Sequence, residues 1–200
     1  MSTSEYVVDR GIVRDGTTIH DVNPAMMIEK ITRERIQESR YWKEECFGLD
    51  AATLCDRAVD LKYIGGQYGG NLSVCPFLCL VFKLIQLQPE PEIIKEYLHQ
   101  PDFKYLTAIA AFYIRLFFKS VEVYQLLEPL LNDYRKLRLR TNNGVQLYHM
   151  DEFVDDLLTK QRVCDTTLPR LPQRVTLEDT EQLEPRESIL NSELEDSDED

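Results

Sequence analysis

The chain has 200 residues, 43% hydrophobic and 29% charged, with a formal net charge of −12. That length suits one domain with a sizeable core plus tails. Most of the charge is terminal: residues 176–200 hold 11 acidic residues and one basic residue, Arg186, while the other 175 residues hold 24 acidic and 22 basic. The acidic end repels phosphates and suits basic partners; it excludes a chain that binds nucleic acid through net charge alone.

Residues 1–22 are polar and aperiodic and read as a flexible N-terminal arm. The opening MSTSEYVVDR has no apolar leader stretch, so the five cysteines, an odd number, are expected to be reduced thiols inside the cell. Cys75 and Cys79 lie four apart without a second pair and read as small buried residues rather than zinc ligands.

Asn23-Pro24 has the form of a helix start and predicts a helix to about Ser39, with Met27, Ile28, Ile31 and Ile36 as its apolar stripe. A short helix should span Tyr41 to Gly48. Asp50 should cap a third helix running to Leu61. The run YIGGQYGGN, Tyr63 to Asn71, then places four of the eight glycines within six residues.

That run invites three readings. A phosphate loop needs a Gly-Lys-Ser/Thr ending, and Asn71-Leu72-Ser73 follows instead. A KH-type RNA clamp would be Gly66-Gln67-Tyr68-Gly69, without the basic residues such clamps carry. The remaining reading is structural. Gly65, Gly66, Gly69 and Gly70 connect two helices where only glycine fits, through positive φ or close backbone approach, with Tyr63, Ile64 and Tyr68 as anchors.

Pro76 should open a helix to Leu87 that is apolar almost all round and therefore buried on several sides. Pro89-Glu90-Pro91 breaks it. A helix over Glu92–His99 should follow, then one over Phe103–Phe118 capped by Asp102, and one over Val121–Leu127. Pro129 kinks or ends that last helix. Arg115, inside YLTAIAAFYIRLFF, needs a partner, and Glu128 or Asp133 is the expected one. The longest apolar run, Tyr105 to Phe118, is too short to cross a bilayer, so no membrane partner is expected.

Asn143-Gly144 predicts a hairpin over about 137–150. Leu137, Leu139, Gln146, Tyr148 and Met150 should share one face. Arg138, Arg140, Val145, Leu147 and His149 should share the other and offer arginines to solvent or a partner. A last helix is expected over Asp151–Gln161, and an extended acidic tail over 172–200. The predicted fold is all-α: a compact multi-helix domain over 23–171 with one small hairpin.

Three groups are candidate sites. Tyr41 and Trp42 are aromatic candidates for a binding hot spot or for the core. Asp151, Glu152, Asp155 and Asp156 form an acidic helix start, a docking face for a basic partner or a solvated face. Arg135, Lys136, Arg138 and Arg140 are the candidate RNA contacts. No nucleophile–base grouping and no metal-ligand spacing points to an enzyme, so no cofactor is expected.

The ordered series NPxxxxEKI, SRYWKEECFGL, YIGGQYGGN, PFLCL, QLQPE, DFKYL, YIRL, LEPLLNDYRKLR, MDEFVDDLL, RVCDTTLPRL and EQLEPR resembles the pre-mRNA-splicing factor 38 family over residues 20 to 186. The resemblance implies a nuclear, non-enzymatic spliceosome component. Such a protein would act as a protein-interaction platform at the tri-snRNP stage and support activation. Implied partners are a zinc-finger splicing protein, a helical microfibril-associated-type protein and tri-snRNP components. Animal members often carry a long arginine-serine tail, whereas this sequence closes on ELEDSDED. The alternative is a direct RNA binder using the 135–140 stretch.

Overall fold

The structure, a computed structural model, describes residues 23–186; the expected arm, 1–22, and the acidic end, 187–200, lie outside the described residues. The chain divides into a unit ending at Arg170 and a second beginning at Leu171.

In the first unit a 3₁₀ turn, Pro24–Met27, precedes α1 (Lys30–Glu38), α2 (Arg40–Glu45) and α3 (Ala51–Val59). The hairpin β1 (Gln67–Tyr68) and β2 (Ser73–Val74) follows, then α4 (Pro76–Leu87), α5 (Pro91–Leu98), α6 (Lys104–Phe117) and α7 (Ser120–Leu127). A 3₁₀ turn, Glu128–Asn132, leads into β3 (Lys136–Thr141) and β4 (Gly144–His149), then α8 (Met150–Thr159), β5 (Arg162–Val163) and β6 (Thr166–Thr167).

The second unit holds α9, Arg174–Asp179. Its Arg174 pairs with Glu178 and donates to the Glu184 carbonyl at 3.0 Å. The tail expected to be extended from residue 172 therefore begins with a helix. No helix among the described residues is long and apolar enough to cross a membrane.

The fold is mostly helical, as expected, but the single predicted hairpin is joined by two more among the described residues, β1–β2 and β5–β6. Each added strand is two residues long, too short for an alternating pattern to register. Their turns are formed by tertiary seating. Cys164 and Asp165 both adopt positive φ, 48° and 58°, between β5 and β6.

The core is built on α4, which reads as apolar almost all round, and α6, which carries the longest apolar run. From Tyr105 to Leu116 every residue of α6 is buried. Phe77 of α4, Phe112 of α6 and Phe153 of α8 meet edge-to-face and stacked, with ring centroids 5.9 to 6.4 Å apart. Such aromatic geometry adds to simple area burial and fixes how the three helices face one another. Cys46, Cys75 and Cys79 sit in this interior at 0–1% exposure, and burial pushes each thiol up to about 12.

Local signals set most boundaries. Asp50 and Thr53 cap α3 reciprocally, with Thr53 N–H donating to Asp50 Oδ1 at 2.8 Å. That bond holds the Asp50 carboxyl below its ordinary range. Gln88 ends α4 in the left-handed region, φ 44°, before Pro89.

Two expectations are corrected. The helix predicted from Pro24 to Ser39 is interrupted at Glu29, which is extended with ψ 143°. Its carboxylate reaches across the domain to Arg162, 3.3 Å, and to the Thr167 hydroxyl, 3.0 Å, and this outweighs local helix propensity. The break changes the helical phase, so Ile31 is 62% exposed rather than in the stripe. Asp102 does not cap α6; Phe103 holds that position without a side-chain bond.

Candidate functional site

The glycine run is a seat for four elements. Ile64 forms a short parallel bridge to β3: its N–H donates to the Arg138 carbonyl and its carbonyl accepts from Arg140 N–H, both at 2.8 Å. Gly66 accepts from Cys75 N–H at the head of α4, and Gln67 N–H donates to Asp165 Oδ2 at 2.7 Å in the β5–β6 turn. The Gln67 side chain bonds Thr32 and Arg35 of α1.

Two glycines are required by approach. A Cβ on Gly65 would lie 2.7 Å from the Arg140 carbonyl oxygen; one on Gly66 would lie 2.4 Å from Asp165 Oδ2 and 2.5 Å from the Cys164 carbonyl oxygen. Gly69 is open to solvent but has φ +73°, and Gly70 is open as well. The peptide groups that a phosphate or RNA clamp would present are thus engaged within the protein at Ile64, Gly66 and Gln67. A Cβ is opposed by close approach at Gly65 and Gly66 and by positive φ at Gly69, and nothing in the structure explains Gly70.

Arg115 finds main-chain partners instead of a carboxylate. Its Nε donates to the Leu157 carbonyl at 2.8 Å and its Nη2 to the Pro169 carbonyl at 2.7 Å. Burial lowers its pKa from the ordinary guanidinium value. The expected partners have other places: Asp133 bonds Arg135, and Glu128 opens the second 3₁₀ turn.

The basic stretch separates into two roles. Arg135 is a structural clamp: it pairs with Asp133 at 2.6 Å and donates to the Gln100 and Pro101 carbonyls, 2.9 and 2.8 Å, and to the Thr107 hydroxyl, 3.3 Å. Arg140 lies over the Tyr68 ring, 4.8 Å from its centroid. Lys136 and Arg138 are exposed. Two free cations on one strand are a small electrostatic footprint for RNA. Arg135→Ala should therefore cost about 2–3 kcal/mol of stability, since it orphans the buried Thr107 hydroxyl and the part-buried Asp133 carboxylate and Gln100 carbonyl. Lys136→Glu and Arg138→Glu should change stability by less than about 0.5 kcal/mol. Urea unfolding of the three variants checks this; a stable Arg135→Ala protein would refute the clamp.

The acidic helix start is also divided. Asp156 accepts from the Tyr148 hydroxyl at 2.5 Å and pairs with Lys160 at 2.7 Å, tying β4 to α8. Glu152 accepts the His149 N–H at 2.9 Å and lies 3.2 Å from its ring nitrogen. Asp151 N–H donates to the Asp133 carbonyl at 3.0 Å. Asp155 is exposed, and its carbonyl accepts from Thr159.

Tyr41 and Trp42 are half-buried. Trp42 tilts against Phe82 of α4, centroids 5.2 Å apart, with Lys83 Nζ 5.9 Å above its ring. Burial, followed by the nearby Cys46 and Cys79, raises the Tyr41 pKa. The sequence reading passed over Phe47, which is 86% exposed. Its place between Cys46 and Gly48, past the end of α2, was the available signal: a large aromatic outside any helical stripe.

Among the described residues no group of three His, Cys, Asp or Glu is placed to hold a metal ion.

The PRP38 family model matches residues 17–181. The chain is 51% identical to pre-mRNA-splicing factor 38A of Xenopus tropicalis and of Homo sapiens over 185 residues, 92% of this chain and 59% of each relative. It thus spans about three-fifths of the length of the curated relatives it matches. Among solved structures it is similar to a chain in the Snu23–Prp38–MFAP1(217–258) complex of Chaetomium thermophilum, with a TM-score of 0.85 and 50% identity, covering 92% of this chain and 98% of that one. The chain belongs to the PRP38 family.

Proposed function

We propose that this chain is a non-enzymatic pre-mRNA splicing factor of the nucleus, a platform on which other spliceosomal proteins assemble. The supporting observation is its 50% identity, over 98% of that chain, to a protein solved in complex with two others. By the family resemblance it acts at the tri-snRNP stage and is needed for spliceosome activation. Its partners are the counterparts of the proteins in that complex: a zinc-finger splicing protein and a helical microfibril-associated-type protein.

The surfaces available for them are those the interior does not consume. They are the half-buried Tyr41–Trp42 pair with exposed Phe47, the exposed carboxylates of α8 led by Asp155, and the outer face of the β3–β4 hairpin. Desolvating aromatic anchors of this kind dominates the energetics of protein interfaces. Recombinant counterparts of both partners should bind the purified chain at physiological salt. Nuclear-extract pull-downs should recover splicing proteins after nuclease treatment. Loss of every partner on nuclease treatment, with binding that falls steeply as salt rises, would favour direct RNA binding instead.

A further inference from the structure

The hairpin β3–β4 has one covered edge and one open edge. Ile64 occupies the outer side of β3 through the Arg138 carbonyl and the Arg140 N–H. In an antiparallel ladder the residues directly opposite one another point their main-chain groups the same way, both inward or both outward. Arg138 faces Leu147 and Arg140 faces Val145, so Leu147 and Val145 direct their N–H and C=O groups away from β3. Among the described residues nothing bonds those groups. The next outward group along the strand, His149 N–H, is closed off by Glu152. The open stretch is therefore about three residues long, bounded by the turn at one end and that carboxylate at the other.

This edge lacks the usual protection. Sheet proteins guard free edges with lysine, proline, a bulge or a covering loop. The strand GVQLYH has no proline and no lysine, pairs without a bulge, and leaves Val145 at 47% and Leu147 at 64% exposure. Those two side chains lie on the same face as the exposed Lys136 and Arg138 of the neighbouring strand. The edge thus offers backbone pairing, two apolar contacts and a flank of positive charge.

We infer that β4 takes up an extended segment of a partner protein as an added strand, one whose face toward Val145 and Leu147 carries apolar and acidic residues in turn, at every second position of its sequence. Main-chain bonds to Val145 and Leu147 supply the pairing, their side chains favour apolar neighbours, and Lys136 and Arg138 select carboxylates over lysine or arginine. The inference rests on the platform reading and deepens it by assigning one surface and the chemistry of its occupant.

The test uses the full chain and a synthetic ten-residue peptide, Thr-Val-Thr-Glu-Thr-Val-Thr-Glu-Thr-Val, whose valines and glutamates fall on one face of the strand. At saturation the Val145 and Leu147 amides should exchange at least tenfold more slowly. A peptide with lysine in place of glutamate should bind at least tenfold more weakly. Leu147→Pro removes an outward N–H that β3 does not use, so it should abolish peptide binding while β3–β4 amides stay protected. Leu147→Glu, which keeps that N–H but sets a carboxylate against those of the peptide, should weaken binding about tenfold. Unchanged exchange at Val145 and Leu147, equal binding of the lysine peptide, or full binding by Leu147→Pro would overturn the inference. So would self-association through β4 that excludes the peptide, which would make a second copy the occupant. Binding of the recombinant zinc-finger and microfibril-associated-type partners is measured in parallel. If they bind while the peptide does not, the strand-addition inference fails and the platform reading stands.

Discussion

Gly66→Ala should destabilise the protein by about 3 kcal/mol or more, a large effect for one added methyl. The new Cβ would sit 2.4 to 2.6 Å from Asp165 Oδ2 and from the Cys164 carbonyl group. Two of these three atoms are backbone, so the clash cannot be relieved by turning a side chain. The β5–β6 turn would have to move, and with it the bond from Gln67 N–H to Asp165. Gly65→Ala should cost a similar amount, because it meets the Arg140 carbonyl oxygen at 2.7 Å and takes on strain at φ +149°. Gly69→Ala should cost only about 1 kcal/mol, the price of a non-glycine at φ +73° in open space. Urea denaturation of the three variants ranks them. Equal losses at Gly66 and Gly69 would mean that conformation alone, and not approach, explains the run.

Raising the pH from 7.5 to 10 should remove on the order of 3 kcal/mol of stability under reducing conditions. Cys46, Cys75 and Cys79 have an ordinary value of 9.0, and burial pushes each to about 12 in the folded protein. A raised folded pKa contributes stability that is complete below the unfolded value. That stability is lost as pH rises from about 9 toward 12, because the unfolded chain releases protons the folded chain retains. At pH 10 each thiol accounts for roughly 1 kcal/mol by this linkage, and the three lie in one interior at 0–1% exposure. Tyr41 and Tyr113, raised by burial above their ordinary 10.0, add to the loss at higher pH. Urea midpoints at pH 7.5, 9 and 10 test it. A midpoint independent of pH, or a slope unchanged when all three cysteines are replaced by alanine, would show that the thiols are not the cause.

Reading the chain alone reached furthest where the determinants are local. The apolar character of α4, the Asp50 cap and the proline break before α5 are each written within a few residues. The hairpin faces were also legible, since alternation fixes them. The turn was not: Thr141 pairs with Gly144, so Asn142 and Asn143 form it, one residue earlier than the Asn-Gly signal. The faces survive because this moves the register by two residues, a full period of the strand. What stayed hidden depends on distant partners. Glu29 breaks a helix for Arg162, Arg135 leaves the basic stretch to bind Asp133 and three groups before and within α6, and Arg115 is met by carbonyls. No spacing rule encodes a main-chain carbonyl as a partner.

The seat of the glycine run also bears on the order in which the domain is completed. Its bonds join Gln67 to Asp165, 98 residues further on, and Ile64 to Arg138 and Arg140. Arg115 likewise waits for Leu157 and Pro169. A chain emerging from the ribosome can form its local helices early, but it lacks the acceptors for Gln67 and Arg115 until residue 169 is free. Contacts of such separation are formed late and at a cost in closure entropy. Gln67 is thus made 98 residues before the acceptor it folds onto, so the seat and the Arg115 site close together, only once the β5–β6 turn and Pro169 have been added.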